Sequence, residues 1–376
     1  MSMLSVLARI PLFRLYRRFG WPQLLPINLT ISPSPRCNSR CKTCNIWKKR
    51  EDELRLDEWE KVLRSLGHAP YWFTISGGEP FLYRHVVELA HMVYRHTRPG
   101  IINIPTNGIL SDIPTKVQRI AEGCPRSQVI INLSLDGVGE KHDEIRGVPG
   151  NFAKFERTLR ALLALREGLP NLTVGIHSVI SVFSIGHLES LLAYAAQSGA
   201  DQYITEIAEQ RPELDTVGLP ITPSAEAYAQ AVERLIAYVE AHEYQGIARI
   251  TEAFRVEYYK LARRIITDQE QSIPCYAGWA SAHIYADGTV WPCCVRADPL
   301  GNLRQHGYDF KEIWFGEAIQ SVRRSSAAKE CHCPLANAAY TNMLHHIPTL
   351  SRVGAKVALG NSLPIVSTNA HAKTAD

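Results

Sequence analysis

The sequence predicts an α/β fold built on a parallel sheet, and three observations carry this. From residue 26 onward, short apolar runs of strand length alternate with amphipathic runs of helix length. Six such units follow one another, the pattern of parallel strands joined by right-handed crossover helices. The cysteine-rich and glycine-rich segments fall where strands end, the edge on which α/β barrels carry their chemistry.

In chain order, Leu25–Ile31 reads as the first strand and Leu56–Leu66 as the first helix. Trp72–Ser76 is the second strand, with a helix over Arg84–His96. Ile101–Pro105 and Thr115–Ala121 form the third unit, Val129–Leu135 and Phe152–Arg166 the fourth. Leu172–Val182 and Leu188–Gln197 form the fifth, and Asp201–Ile207 is the sixth strand. Helices over Pro223–Ala241 and Ile250–Gln269 lead to a C-terminal module. There Ile284–Cys293 reads as a β-hairpin turned by Asp287-Gly288. The expected organisation is an arm over 1–25, a barrel over 26–213 and a helical connector over 214–268. A small α+β module over 269–345 and a frayed tail over 346–376 follow.

With 45% hydrophobic and 21% charged residues the chain is a globular protein, and a net charge of +4 gives no argument for nucleic acid as a partner. No apolar run reaches the ~20 residues that span a bilayer. Residues 4–19 mix apolar side chains with Arg9, Arg14, Arg17 and Arg18. Pro11 is expected to interrupt a helix there. The arm is expected to pack on the protein's own barrel, with peripheral contact to anionic lipid as the alternative. The nine cysteines cluster toward the two ends with Cys124 alone between them, which reads as metal binding in a reducing cytoplasm rather than disulfides. Cys124 reads as a small buried residue.

Cys37, Cys41 and Cys44 are spaced C-x3-C-x2-C on one short loop. Thiolates suit iron, and three ligands leave one iron of a cubane cluster open. The motif resembles the cluster loop of the radical S-adenosylmethionine (SAM) superfamily. That resemblance implies a partial (β/α)6 TIM-like barrel, and a [4Fe-4S] cluster whose open iron chelates SAM. The other readings are a zinc loop and unrelated buried cysteines. Ser76-Gly77-Gly78-Glu79-Pro80 looks like the family's Gly-Gly-Glu-Pro motif, which implies that Gly77, Gly78 and Glu79 bind the methionine end of SAM. Glycines there let backbone approach a ligand closely. Ser134-Leu135-Asp136-Gly137 and the following His142–Gly147 imply that Ser134 and Arg146 contact SAM; an ion pair of Arg146 with Asp143 or Glu144 is the alternative. Asn107 reads as part of a turn. Where many members carry an aromatic before the third cysteine, this chain has Thr43, and Trp47 is the nearby substitute for stacking on adenine.

Cys275, then Gly288 and Cys293, then Cys331 and Cys333, resemble the SPASM/twitch extension of such enzymes. This implies one auxiliary [4Fe-4S] cluster held by Cys275, Cys293, Cys331 and Cys333 in a small C-terminal α+β domain of hairpin and helix. The closing pair is C-x-C where C-x2-C is usual, and Cys294 could replace a ligand. A structural zinc site on the same cysteines is the competing reading.

Taken together, the resemblance implies reductive cleavage of SAM to a 5′-deoxyadenosyl radical that takes a hydrogen atom from a small-molecule, lipid or peptide substrate. Flavodoxin or ferredoxin would supply the electron. The sequence shows no peptide-binding domain before the barrel, which tells against a peptide. Glu206, leaving the sixth strand, is the candidate for substrate contact or proton acceptance, with an ion pair to Arg211 as the alternative. A non-catalytic redox scaffold or a zinc-binding module are the competing functions.

Overall fold

The computed structural model describes residues 3–242 and 246–359. Six parallel strands, β1 (Asn28–Ile31), β2 (Trp72–Ile75), β3 (Ile101–Thr106), β4 (Gln128–Ser134), β5 (Leu172–Ile180) and β6 (Gln202–Ile207), pair in sequence order. The helices between them are α2 (Leu56–Leu66), α3 (Val86–Thr97), α4 (Ile113–Gly123), α5 (Glu140–Arg146), α6 (Asn151–Arg166) and α7 (Leu188–Gln197). They bury Trp59, Val62, Leu89, Val93, Val117, Leu159 and Leu191 against strand residues such as Leu29, Phe73, Ile102, Ile131 and Ile176. This is the predicted partial barrel. Only the short α5, which carries Arg146, was not foreseen.

The sheet does not stop at β1. Its other edge pairs in parallel with β7 (Ser281–Ile284), in register from Asn28↔Ser281 to Ile31↔Ile284. Antiparallel β8 (Thr289–Trp291) and β9 (Gly301–Asn302) complete one nine-stranded sheet, open between its end strands β6 and β9. The predicted hairpin is therefore a continuation of the barrel sheet. The connector helices α8 (Ala225–Glu240) and α9 (Gly246–Asp268) pack on each other, and α10 (Phe310–Trp314), α11 (Ala318–Ala327), α12 (Ala336–Leu344) and α13 (Ile347–Leu359) follow. The inner face of β1 is polar because α12 covers it. Asn28 Nδ2 donates to Thr341 Oγ1 at 2.9 Å, and Asn337 Nδ2 donates to Thr30 Oγ1 at 3.0 Å.

Two expectations are corrected. The arm forms a continuous helix, α1 (Met3–Phe19), straight through Pro11. A proline inside a helix costs about 3 kcal/mol. Here Val6, Phe13 and Tyr16 offset it by packing against Ile27, Tyr276, Trp279 and Ala280, so the arm docks on the C-terminal module as well as the barrel edge. The tail is helical as far as Leu359, with Val353 buried and Arg352 Nε bonded to Glu257 Oε2 at 2.6 Å; residues beyond 359 lie outside the described chain.

His345 joins these parts. Its ring stacks on Tyr276 at 4.2 Å and meets Phe13 edge-on at 5.4 Å. Nδ1–H donates to the Thr341 carbonyl at 2.7 Å, and burial pushes its pKa down to about 4. The unfolded chain then takes up a proton near pH 6.5 that the folded chain refuses. The resulting stability is complete above pH 6.5 and is lost as pH falls toward 4. At pH 5 the loss amounts to about 2 kcal/mol. Urea unfolding at pH 7 and pH 5 should show His345→Phe losing less stability on acidification than wild type by about that amount.

Candidate active site

The cysteine loop leaves β1 and lies along the loop that ends β2. Gly78 N–H donates to Ser34 O at 2.9 Å, and Glu79 N–H to Arg36 O at 2.8 Å. A Cβ on Gly77 would sit 2.4 Å from Ser34 O, and one on Gly78 would sit 2.3 Å from Arg36 O. The close approach foreseen for these glycines is thus to the cysteine loop itself. The other side of the loop is pinned by α5: Arg40 and Lys42 N–H donate to the carbonyls of Arg146 and Ile145, both at 2.9 Å.

Glu79 braces this assembly. Its carboxylate is 1% exposed and accepts from Thr106 Oγ1 and Asn107 N, both at 2.8 Å, and from Phe81 N at 3.1 Å. Both oxygens are spent on β3 and its own turn, so the side chain is a positioning group between loops. Asn107, read from sequence as a turn, is the second brace. Its Nδ2 donates to Asn38 Oδ1 at 2.7 Å and Ser39 Oγ at 3.1 Å, and stands 4.0 Å from Cys37 Sγ. Its Oδ1 accepts from Ile109 N, so the same side chain also makes the turn.

The donor set fits a thiolate-bound cluster. The three thiols are free, and backbone N–H and guanidinium groups already point at them. Ser39 N lies 3.4 Å from Cys37 Sγ, and Arg146 Nη1 lies 3.3 Å from Cys41 Sγ. Burial pushes Cys37 up to about 11 and Cys44 up to about 12, so binding of a metal must displace their protons. Arg146 is buried. Burial works against its charge, but Cys41 and the Asp136 carboxylate, 3.4 Å away, outweigh it and raise its pKa. The alternative partners are engaged elsewhere, Glu144 with Lys42 and Lys141 and Asp143 with the N–H groups of Gly150 and Phe152.

What the site leaves unspent matches the polar end of SAM. The Gly77 and Gly78 carbonyls and the Ser134 hydroxyl have no hydrogen-bond partner among the described residues, and buried Arg146 Nε has none. These supply acceptors for an amino group and a donor for a carboxylate. Thr43 is buried. Trp47 carries the Arg40 guanidinium over one ring face at 4.4 Å, so that face is taken.

The second cysteine set converges as well. Cys275, Cys293, Cys331 and Cys333 line one small pocket, with Arg296 and His332 on its wall. Both cysteines of the C-x-C pair thus reach the same pocket as Cys275 and Cys293. Ala277 N and Arg296 N lie 3.4 and 3.5 Å from Cys275 Sγ and Cys293 Sγ, and burial holds Cys293 up at about 12. Four thiols around one cavity fit a fully ligated cluster. Cys294 is not on this wall; it faces Glu213 and His283, with ligand atoms of all three within 4.8 Å of one another.

Between the two sets runs the segment after β6. Glu206, next to last in β6, lies 3.6 Å from Arg211 and 3.8 Å from His177. Glu209 lies 3.4 Å from Arg211, and burial pushes it up to about 7 against the pull of that arginine. Glu213 adds to the effect of burial in raising both Cys44 and Cys294, and Glu209 does the same for Cys333. The acidic segment thus stands within electrostatic reach of both cysteine sets. The predicted ion pair of Glu206 exists. Sequence reading missed His177, Glu213 and His283, which carry no motif.

Two family models match this chain, and it is similar to several known proteins. The model of the Radical SAM superfamily matches residues 31–195, and that of the SPASM iron-sulfur cluster-binding domain matches residues 275–334. The sporulation killing factor maturation protein SkfB of Bacillus subtilis is 24% identical over 82% of this chain and 69% of its own. An AdoMet-dependent heme synthase of Methanosarcina barkeri is 24% identical over 78% of this chain and 82% of its own. Among solved structures, Streptococcus suis SuiB bound to S-adenosylmethionine superposes with a TM-score of 0.59 at 17% identity, over 82% of this chain and 70% of its own. The enzyme anSMEcpe with bound AdoMet gives 0.58 at 17%, over 89% and 97%.

The glycine contacts make a sharp test. Gly78→Ala should push the cysteine loop off its seat, so that reconstituted iron falls from about eight to about four per chain, the remainder being auxiliary. Glu79→Gln, which turns an acceptor into a donor facing Asn107 N–H or Thr106, should lower stability in urea by about 1–3 kcal/mol.

Proposed function

This chain belongs to the radical SAM superfamily and carries a SPASM domain; from that premise, we propose that it generates a substrate radical by hydrogen-atom abstraction and completes the reaction with the help of an auxiliary cluster. Its cofactors are SAM and [4Fe-4S] clusters. Cys37, Cys41 and Cys44 would hold the first cluster, and Cys275, Cys293, Cys331 and Cys333 the auxiliary one. When bound, these groups would supply one-electron cleavage of SAM to a 5′-deoxyadenosyl radical and an electron acceptor or donor.

The chain's own residues do the remaining work. The carbonyls of Gly77 and Gly78 accept from the SAM amino group, Arg146 takes the carboxylate, and Ser134 takes a ribose hydroxyl. Glu79 and Asn107 keep the cysteine loop fixed, so that bound SAM has one orientation. The buried wall of Glu206, Glu209 and Arg211 faces the substrate, with Glu206 as its contact or proton acceptor. The acidic segment lying within electrostatic reach of both cysteine sets carries the proposal.

A peptide is the substrate class we favour. The name of SkfB describes a maturation protein, and SuiB and anSMEcpe have solved structures with peptides bound. The heme synthase keeps a small molecule as the second reading. Flavodoxin or ferredoxin remains our proposal for the reductant, and free thiols of this number support a reducing, cytoplasmic setting.

Anaerobically reconstituted wild type, given SAM and dithionite, should hold about eight irons and release 5′-deoxyadenosine. Replacing Cys37, Cys41 and Cys44 with Ala together should leave about four irons and abolish cleavage. Zinc without iron, or iron without cleavage, would instead support a binding module or a redox scaffold. With a turned-over substrate, Glu206→Gln should cut product about a hundredfold while abortive 5′-deoxyadenosine release persists. Unchanged turnover would reduce Glu206 to its ion pair.

A further inference from the structure

We propose that the outward face of α1, continued by Trp21, is a docking surface for an anionic lipid bilayer. The helix buries Val6, Ile10, Phe13 and Tyr16. At 100° per residue, the opposite side carries Leu7, Ala8, Pro11, Leu12, Leu15 and Phe19. A surface helix ordinarily turns polar residues outward there. This one leaves Leu7 47%, Leu12 39%, Leu15 40% and Phe19 67% exposed, and Trp21 just beyond it 73%. Of the eight large hydrophobic residues exposed among the described residues, these are five, so the exposure is a patch and not surface scatter. Ile347, 53% exposed, begins α13 two residues after His345, whose ring touches Phe13.

The charge around the patch selects the occupant. Arg14 is exposed on its edge, and Arg18 is exposed within it, between Leu7 and Pro11 on the helix wheel and with its guanidinium over the Phe19 ring. The inner arginines are already committed: Arg9 Nη1 donates to Ala69 O at 3.1 Å, while Arg17 Nε donates to Cys275 O at 3.0 Å and lies over Trp279. The first fifty residues contain ten Lys and Arg and no Asp or Glu, so no acidic side chain of the arm opposes a negative surface. Apolar side chains flanked by arginine, with a tryptophan at one end, are the composition that seats a helix in the headgroup region. α1 has 17 residues, and no described helix is long and apolar enough to cross a membrane, so α1 would lie flat. The inner stripe holds it to the Cys275 segment, which ties the enzyme body to the surface while the outer stripe enters it.

Vesicle flotation of the full reconstituted chain tests this. Wild type should float with phosphatidylglycerol-containing vesicles at 0.1 M salt and stay behind with phosphatidylcholine alone. Arg14→Glu with Arg18→Glu should lower the partition at least about tenfold, from roughly fivefold per arginine removed. Leu15→Glu with Phe19→Glu should do the same, with iron content, SAM cleavage and thermal unfolding unchanged in both variants. Equal behaviour on the two lipids, or no flotation, would overturn the proposal. So would sedimentation in which Leu15→Glu with Phe19→Glu turns a dimer into a monomer without changing lipid binding, since the face would then seat a second copy.

Discussion

The parallel pairing of β1 with β7 is the contact on which both cysteine sets depend. β1 ends in the loop of Cys37, Cys41 and Cys44, and β7 opens the hairpin that carries Cys293. Hydrogen bonding from Asn28↔Ser281 to Ile31↔Ile284 fixes their register, and strands in one sheet lie about 4.8 Å apart. Two segments some 250 residues apart in sequence thereby become neighbours. The pairing also brings His283 Nε2 within 2.8 Å of Ser32 Oγ, where the cysteine loop begins. Because β7 covers what would otherwise be a barrel edge, the same contact protects β1 from pairing with other chains.

Around this frame the protein invests buried polar groups in holding loops still. Glu79, Asn107 and Arg146 are all buried, and each connects two or more loops. An unpaired buried carboxylate or guanidinium would be costly, so each stays buried only while its loops keep their places. Rigidity at the cysteine loop follows from this coupling. The N–H and guanidinium groups aimed at sulfur would also withdraw charge from a bound cluster, which is one of the ways a protein sets cluster potential.

The acidic segment after β6 has the opposite character. Glu206 and Glu209 share Arg211, and Glu213 faces His283 at 3.8 Å without a hydrogen bond among the described residues. Burial, with Glu206 nearby, raises Glu209 to about 7 against the pull of Arg211.

Much of this protein was legible in its sequence. Strand and helix runs are local properties of apolar spacing, so α2 and α7 fall where the pattern put them, over Leu56–Leu66 and Leu188–Gln197. The two cysteine sets are visible in the sequence, and the chemistry expected of them came from their resemblance to known motifs. What tertiary structure decided is everything set by which segments meet. Gly77 and Gly78 clear space for the cysteine loop, Glu79 turns inward to β3, and Cys294, in the turn after β8, faces Glu213 and His283 while Cys293 lines the other cysteine pocket. α1 survives Pro11 only because the Tyr276–Ala280 segment receives its inner stripe. Periodicity along a chain records which side of an element is apolar, but not which distant segment will cover it, and for this helix it left two apolar sides where packing covered one.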